Sequence, residues 1–196
     1  MTEFILASAS PRRKELLELM GLKFKVVVSD ADETAVKQDI PVNLYVQELA
    51  MLKASATAKL IIKNKNALVI AADTIVTLDG MILGKPCDKD EAMRMLKALA
   101  GRSHEVYTGY CVMRIRDGKI VCSSVRTEVK FKPLTEQKIL SYIRTGEPMD
   151  KAGAYGIQGL GSMLIEKING DYFNVVGLPV SSLSDTLQNE FDIEIL

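Results

Sequence analysis

The most informative short segment is S-A-S-P-R-R, residues 8–13. Ser10 and Pro11 are the residue types that begin a helix, as N-cap and first helical residue. Arg12 and Arg13 would then oppose the positive end of the helix dipole unless an anion lies between them and the free N–H groups. Phosphate is the natural anion for such a place. The alternative is an ordinary capped helix whose arginines point into solvent.

Asp73 lies inside a nearly continuous apolar segment, ALVIAADTIV at 67–76. Such a segment is typical of a strand buried on both faces, where a carboxylate is costly unless it has a partner or a function. The Asp-Gly pair at 79–80 is a strong signal for a two-residue hairpin turn, which would place Thr74 opposite Lys85. Asp73 is therefore either a loop cap or ion-pair partner of Lys85, or a metal ligand or general base.

The acidic loop D-A-D-E at 30–33 adds a second candidate for metal binding. Glu33, at its end, offers hard oxygen atoms of the kind that Mg²⁺ accepts. Together with Asp73 and the basic residues it indicates a metal-bound polyphosphate, although these residues alone do not fix the reaction.

A glycine-rich segment, AGAYGIQGLG at 152–161, is a candidate binding loop because its main chain can approach a ligand closely. Gln158 is the amide in this segment that could read the edge of a base. Lys53 falls within a long predicted helix, where a lysine is usually solvated. His104 is interpreted as a structural or surface residue rather than a catalyst.

The composition limits the classes of protein that fit. The 196 residues include 25 Lys plus Arg and 25 Asp plus Glu, so the formal net charge is zero and a general nucleic-acid binder is disfavoured. One histidine leaves no His-rich metal site, and three cysteines without a C-x-x-C pair indicate reduced thiols in a cytoplasmic protein. With no signal-peptide pattern and no apolar run of roughly 18 residues, we expect no membrane association.

The elements that must position these residues are those of a single α/β domain over residues 1–196. Apolar periodicity, caps and turn pairs give both strands and helices. The predicted strands are 4–7, 23–29, 67–76, 105–115, 120–131 and 162–168. The predicted helices are 11–21, 42–63, 88–101, 135–146 and 180–191.

Seven segments follow one another along the chain: LASASPRRKELL, DADE, ELAMLKA, AADTIV, LGKP, YGIQGLG and GDYFNVVGLP. In this order they resemble the Maf family of nucleoside triphosphate pyrophosphatases. The resemblance covers residues 4–180, and its most specific parts are the S-x-S-P-R-R opening and the aspartate of AADTIV.

The resemblance implies an α/β fold like that of the inosine triphosphate pyrophosphatases, an elongated mixed sheet flanked by helices with two lobes around a central cleft. It implies a divalent cation, Mg²⁺ or Mn²⁺, and a reaction that gives nucleoside monophosphate and pyrophosphate. It also implies that Asp73 is the catalytic base and, with Glu33, a metal ligand. By the same matching, five residues would contact phosphates: Ser8, Arg12, Arg13, Lys53 and Lys85.

Within the family, the branch that acts on dTTP and UTP resembles this chain at Arg12, Thr74 and Gln158. Gln158 offers one donor and one acceptor, which complement the carbonyl oxygen and ring N–H of uracil or thymine. We therefore expect hydrolysis of dTTP and UTP, with modified pyrimidine triphosphates as further candidates. The matching of Asp32 and Glu33 to the family's acidic positions could shift by one residue.

Two other functions compete with this hypothesis. One is a nucleotide-binding regulator of septum formation with incidental hydrolysis, because the family is associated with arrest of septum formation. Such a sensor would need the phosphate-binding cations but not a carboxylate positioned on a metal. The other is an α/β domain with a cleft for a different anion. The resemblance also implies a homodimer.

Overall fold

The computed structural model describes residues 2–196 and has a mixed α/β architecture. The strands are β1 Glu3–Leu6, β2 Phe24–Val26, β3 Ala67–Leu78, β4 Met81–Leu83, β5 Ser103–Arg114, β6 Ile120–Phe131 and β7 Ile165–Asn169. The helices are α1 Pro11–Leu19, α2 Val42–Leu60, α3 Lys89–Leu99, α4 Glu136–Arg144, α5 Tyr172–Val176 and α6 Val180–Phe191. The seven strands form one sheet in the order β2-β1-β3-β5-β6-β7, with β4 paired to β3. The predicted α/β class with a mixed sheet is therefore confirmed.

The described chain forms two compact units. The first contains the stretch up to Asp73, Thr108–Val125 and Gly177–Leu196, and the second contains Thr74–Tyr107 and Arg126–Val176.

The first unit is built on three parallel strands. β1 pairs with both β2 and β3, so Phe4 lies opposite Phe24 on one side and Leu68 on the other. Each residue from 67 to 72 is 0% exposed, which confirms that this part of β3 is buried on both faces. Small side chains let α2 approach the sheet closely, and those packed in this core are Ala50, Ala54 and Ala58.

The second unit begins with the hairpin of β3 and β4. The Asp-Gly pair at 79–80 has φ angles of 52° and 78°, as expected for a tight two-residue turn, and Val76 pairs with Leu83 in the predicted register. Helices α3 and α4 pack onto the core of this unit around Phe131 and Tyr155. Apolar residues at helical spacing supply that contact: Leu96, Leu99, Ile139 and Ile143.

Most predicted elements are present, with differences at their ends. The closing helix has the predicted bounds, Val180–Phe191. The predicted strand at 162–168 begins too early, because a 3-10 helix spans Gly159–Leu164 and the Ser162 hydroxyl donates to the Gly159 carbonyl oxygen. The short helix α5 was not predicted. Across residues 2–196, no helix combines the length and apolar composition that a membrane span requires.

Candidate functional site

Three predicted site residues are held by the parallel strands of the first unit. Ser8 follows β1, Glu33 follows β2 after a loop, and Asp73 lies in β3. Because these strands are parallel, their carboxyl ends point in the same direction. Ligands of α/β proteins bind outside the carboxyl ends of such strands. This edge of the first unit is therefore the candidate functional site.

Lys53 joins the two carboxylates of the site. Its Nζ lies 2.5 Å from Asp73 Oδ1 and 3.0 Å from Glu33 Oε1. The side chains of Lys53 and Asp73 are only 18% and 14% exposed, so each needs an opposite charge nearby. The ion-pair partner of Asp73 thus comes from α2, whereas the hairpin geometry of the sequence pointed to Lys85.

Hydroxyl groups fix α2, and with it Lys53, to the segment that follows β2. The Thr57 hydroxyl lies 3.3 Å from the Val27 carbonyl oxygen and 3.1 Å from the Ser29 hydroxyl. Ser29 in turn donates to the Lys53 carbonyl oxygen at 3.5 Å. These bonds hold the helix that carries Lys53 beside the loop that leads to Glu33.

The last two carboxylates of the acidic loop, Asp32 and Glu33, have different partners. Asp32 accepts hydrogen bonds from the Thr34 N–H at 3.1 Å and the Thr34 hydroxyl at 2.6 Å, so it caps the 3-10 turn Glu33–Ala35. Glu33 is left to contact Lys53. The sequence left Asp32 and Glu33 as alternatives, and Glu33 is the one that contacts Lys53, the ion-pair partner of Asp73.

Arg13 points into the protein rather than into solvent. Its Nε donates to the Gly177 carbonyl oxygen at 2.9 Å, and its Nη1 donates to the Ser8 hydroxyl at 3.2 Å. Burial lowers the pKa of Arg13 below its ordinary value, and the negative charge of Asp73 offsets only part of this lowering. The Ser8 hydroxyl also accepts from the Ser10 N–H at 3.2 Å. Ser8 and Arg13 are thus fixed together, and Arg12 beside them is half-buried.

The remaining predicted residues, Thr74, Lys85 and Gln158, belong to the second unit. Lys85 and Gln158 are exposed. The Gly153 N–H donates to the Gly84 carbonyl oxygen at 3.0 Å, which joins the chain before Lys85 to the glycine-rich loop. The β3–β4 pairing joins residues 76–78 to residues 81–83, and it does not extend to Thr74 and Lys85.

The donor set of the first unit fits a magnesium-type cation. Within the range 2–196 no group of three or more His, Cys, Asp or Glu side chains could hold a metal by itself. Mg²⁺, however, is usually bound by one or two carboxylates and completed by waters and substrate phosphates. Asp73 and Glu33, which contact the same ammonium group, meet that requirement.

Sequence reasoning missed two groups that order the site. The Gly177 carbonyl oxygen receives Arg13, and the Thr57 hydroxyl fixes α2. The segment GDYFNVVGLP was recognised, but a carbonyl acceptor leaves no mark in residue type. A threonine within a helix gives no signal either.

Two carboxylates, a lysine and an arginine thus lie at the carboxyl edge of parallel strands in an α/β protein. These are residue types that can bind an anion together with a cation. The family model described as Maf-like protein matches residues 3–190, and the chain belongs to this family.

Named relatives match over nearly their full length. A dTTP/UTP pyrophosphatase of Thermoanaerobacter sp. (strain X514) is 49% identical over 194 residues, which cover 99% of this chain and 100% of the relative. A dTTP/UTP pyrophosphatase of Clostridium novyi (strain NT) is 54% identical over 179 residues, 91% of this chain and 93% of the relative. Among solved structures, a HAM1 protein from Coxiella burnetii is similar with a TM-score of 0.45 and 21% identity, covering 67% of this chain and 73% of that chain.

Proposed function

We propose that the protein hydrolyses dTTP and UTP to the nucleoside monophosphate and pyrophosphate. Relatives that are about half identical over nearly the whole chain carry the name dTTP/UTP pyrophosphatase. The structural observation that supports the proposal most directly is the contact of one lysine, Lys53, with two carboxylates, Asp73 and Glu33. A site of this kind can exchange its lysine contacts for a metal and a phosphate group.

Asp73 and Glu33 are the residues that would hold the divalent cation, Mg²⁺ or Mn²⁺. When bound, such a cation neutralises phosphate charge and polarises the phosphorus centre. Asp73 also acts as the general base that takes the proton from the attacking water. The water oxygen forms the new bond to the α-phosphorus. The bond from that phosphorus to the oxygen that bridges it to the β-phosphate breaks, and pyrophosphate leaves with the electron pair.

The basic residues stabilise the charge that builds up on the leaving pyrophosphate. Arg13 is suited to this task because Ser8 and Gly177 already fix its guanidinium group. Lys53 would transfer from the carboxylates to a phosphate when substrate and metal bind. The proposed phosphate-binding set is Ser8, Arg12, Arg13, Lys53 and Lys85.

Base recognition is the task we propose for Gln158, with Arg12 and Thr74 as further specificity residues. The exposed Gln158 amide offers a donor and an acceptor to the edge of uracil or thymine. A cytoplasmic location and a homodimer stay predictions.

The test is a panel of nucleoside triphosphates assayed for pyrophosphate release with Mg²⁺ or Mn²⁺. We expect UTP and dTTP to be hydrolysed in preference to CTP, ATP and GTP. The Asp73→Asn variant should lose about 10²- to 10⁴-fold in kcat while its folding is retained, because a general base contributes that much. Asp90→Asn, at an exposed carboxylate on α3, is the matched control.

Two outcomes would overturn the proposal. Full turnover by a folded Asp73→Asn variant would remove the assigned base. Absence of pyrophosphate release from every triphosphate would remove the enzyme and leave the nucleotide-binding regulator as the better hypothesis.

A further inference from the structure

The glycine-rich loop of the second unit is held by a carboxylate that the function described so far does not use. Glu147 follows Gly146, which lies just beyond the end of α4 and has a left-handed backbone conformation with a φ of 78°. Its Oε2 accepts from the Leu160 N–H at 3.0 Å, and its Oε1 accepts from the Gly161 N–H at 3.0 Å. One carboxylate thus fixes two consecutive main-chain positions, two and three residues after Gln158.

Tyr142 extends this contact to the other side of Gln158. Its hydroxyl donates to Glu147 Oε1 at 2.9 Å and accepts from the Gly156 N–H at 3.2 Å. Burial raises the pKa of Tyr142, so the phenol remains a proton donor to the carboxylate at neutral pH. The pair of Glu147 and Tyr142, which we call the loop anchor, therefore bonds the chain two residues before and two residues after Gln158.

The glycines of the loop are required by the closeness of this packing. A Cβ atom at position 159 would lie 2.9 Å from Glu147 Oε2, and one at position 161 would lie 2.2 Å from the Gly156 carbonyl oxygen. The same atom at 161 would lie 2.7 Å from the Tyr142 hydroxyl. The glycine-rich loop is thus packed tightly against the loop anchor, and this packing restricts its main chain.

We propose that Glu147 is a positioning residue that sets the choice of base by fixing the main chain around Gln158. This inference rests on the proposed function, because it assigns the base-reading task to Gln158. A glutamine amide offers a donor and an acceptor, and a half turn of the amide exchanges them. Uracil presents a carbonyl oxygen and an N–H, whereas cytosine presents an amino group and a bare ring nitrogen. The half turn is a rotation of the side chain itself, so what a fixed main chain sets is the position from which the Gln158 amide meets the edge of the base. A loose main chain lets the amide move until it also matches the edge of cytosine.

The test compares UTP with CTP in Glu147→Ala, Glu147→Gln and Tyr142→Phe. In Glu147→Ala we expect the ratio of kcat/KM for UTP to that for CTP to fall about tenfold, the size of effect that loss of a charge-assisted hydrogen bond has. The loss should appear mainly as a higher KM for UTP, because Glu147 acts on binding rather than on the reacting phosphate. Glu147→Gln and Tyr142→Phe each keep part of the loop anchor and should show smaller losses. Glu166→Ala, at an exposed carboxylate on β7, should leave the ratio unchanged.

Hydrogen exchange gives a second readout that does not depend on turnover. The Leu160 and Gly161 amides are bonded to Glu147, so they should exchange faster in Glu147→Ala and Glu147→Gln. If Glu147→Ala does not fold, Glu147→Gln and Tyr142→Phe decide by the same ratio.

The outcomes separate this inference from the function on which it rests. A wild-type protein that releases no pyrophosphate from UTP or dTTP would overturn both. An active wild type whose folded anchor variants keep the UTP/CTP ratio would overturn the positioning role alone and leave Glu147 as a purely structural residue.

Discussion

At the scale of single residues, Lys53 is expected to contribute both to catalysis and to the stability of the fold. One substitution on α2 tests both contributions. Lys53→Met removes the ammonium that contacts both Asp73 and Glu33. It should lower kcat/KM for UTP by about 10²-fold, the usual cost of losing one charged group that stabilises a transition state. The free energy of unfolding should also fall by about 1–2 kcal/mol, because Asp73 is left largely buried without its counterion.

Steady-state kinetics and urea unfolding of the same preparations measure both effects. Lys59→Met is the matched control, since Lys59 lies on the same helix and is exposed. A Lys53→Met enzyme with the wild-type kcat/KM would contradict the proposed phosphate contact.

The sequence predicts which residues are chemically unusual better than it predicts their partners. Asp73 stands out because a carboxylate in a buried strand is costly. Its partner Lys53 could not be derived from spacing, because it depends on how α2 packs against the sheet. Glu147 gave no signal, since two of its partners are main-chain N–H groups, which every residue type except proline carries, and the third is the Tyr142 hydroxyl of α4.

At the scale of elements, Gly109 determines how closely β5 and α2 approach. A Cβ atom at this position would lie 2.3 Å from the Val46 carbonyl carbon and oxygen, and these are main-chain atoms that cannot rotate away. Gly109→Ala should therefore lower the free energy of unfolding by about 1–3 kcal/mol, the usual cost of overpacking, and should displace the helix that carries Lys53.

Urea unfolding curves check this, with Gly84→Ala as control because nothing lies within 4 Å of a Cβ there and its φ lies outside the left-handed region that disfavours a side chain. Gly84→Ala should change stability by less than about 0.5 kcal/mol, as surface substitutions usually do. Equal stability of Gly109→Ala and the wild type would contradict the packing of β5 on α2.

Elements with strong local signals were predicted well, and those set by tertiary contacts were not. Thr135 caps α4 through a bond from the Lys138 N–H, and Asp88 caps α3 through a bond from the Glu91 N–H, as their residue types indicate. Residues 162–164 were predicted as the start of a strand, yet they belong to the 3-10 helix Gly159–Leu164, whose first turn is bonded to Glu147. A contact with a residue more than ten positions away cannot be inferred from local spacing.

At the scale of the whole molecule, the family resemblance implied two lobes, but residue types alone do not mark most of the boundaries between the two units. Four boundaries separate the units, between Asp73 and Thr74, Tyr107 and Thr108, Val125 and Arg126, and Val176 and Gly177. The first three lie inside strands, namely β3, β5 and β6, and the fourth lies at the end of α5. Domain boundaries are usually recognised by Pro-, Gly- or polar-rich linkers, and a strand that serves both units has no reason to contain one.

His104, the chain's only histidine, should make the stability of the whole molecule depend on pH. It is 2% exposed, its Nε2 lies 2.7 Å from the Tyr155 hydroxyl, and Nδ1 has no hydrogen-bond partner among the described residues. Burial lowers the pKa of His104 from 6.5 to about 4. The unfolded chain therefore takes up a proton near pH 6.5, whereas the folded chain does not until about pH 4. Stability is lost as pH falls through this window, by about 1.4 kcal/mol per pH unit well below 6.5.

Between pH 6.5 and 5 we expect a loss on the order of 2 kcal/mol in urea unfolding, and a smaller slope in His104→Phe, which cannot titrate. Parallel pH profiles for the two proteins would show that the buried imidazole does not carry this dependence.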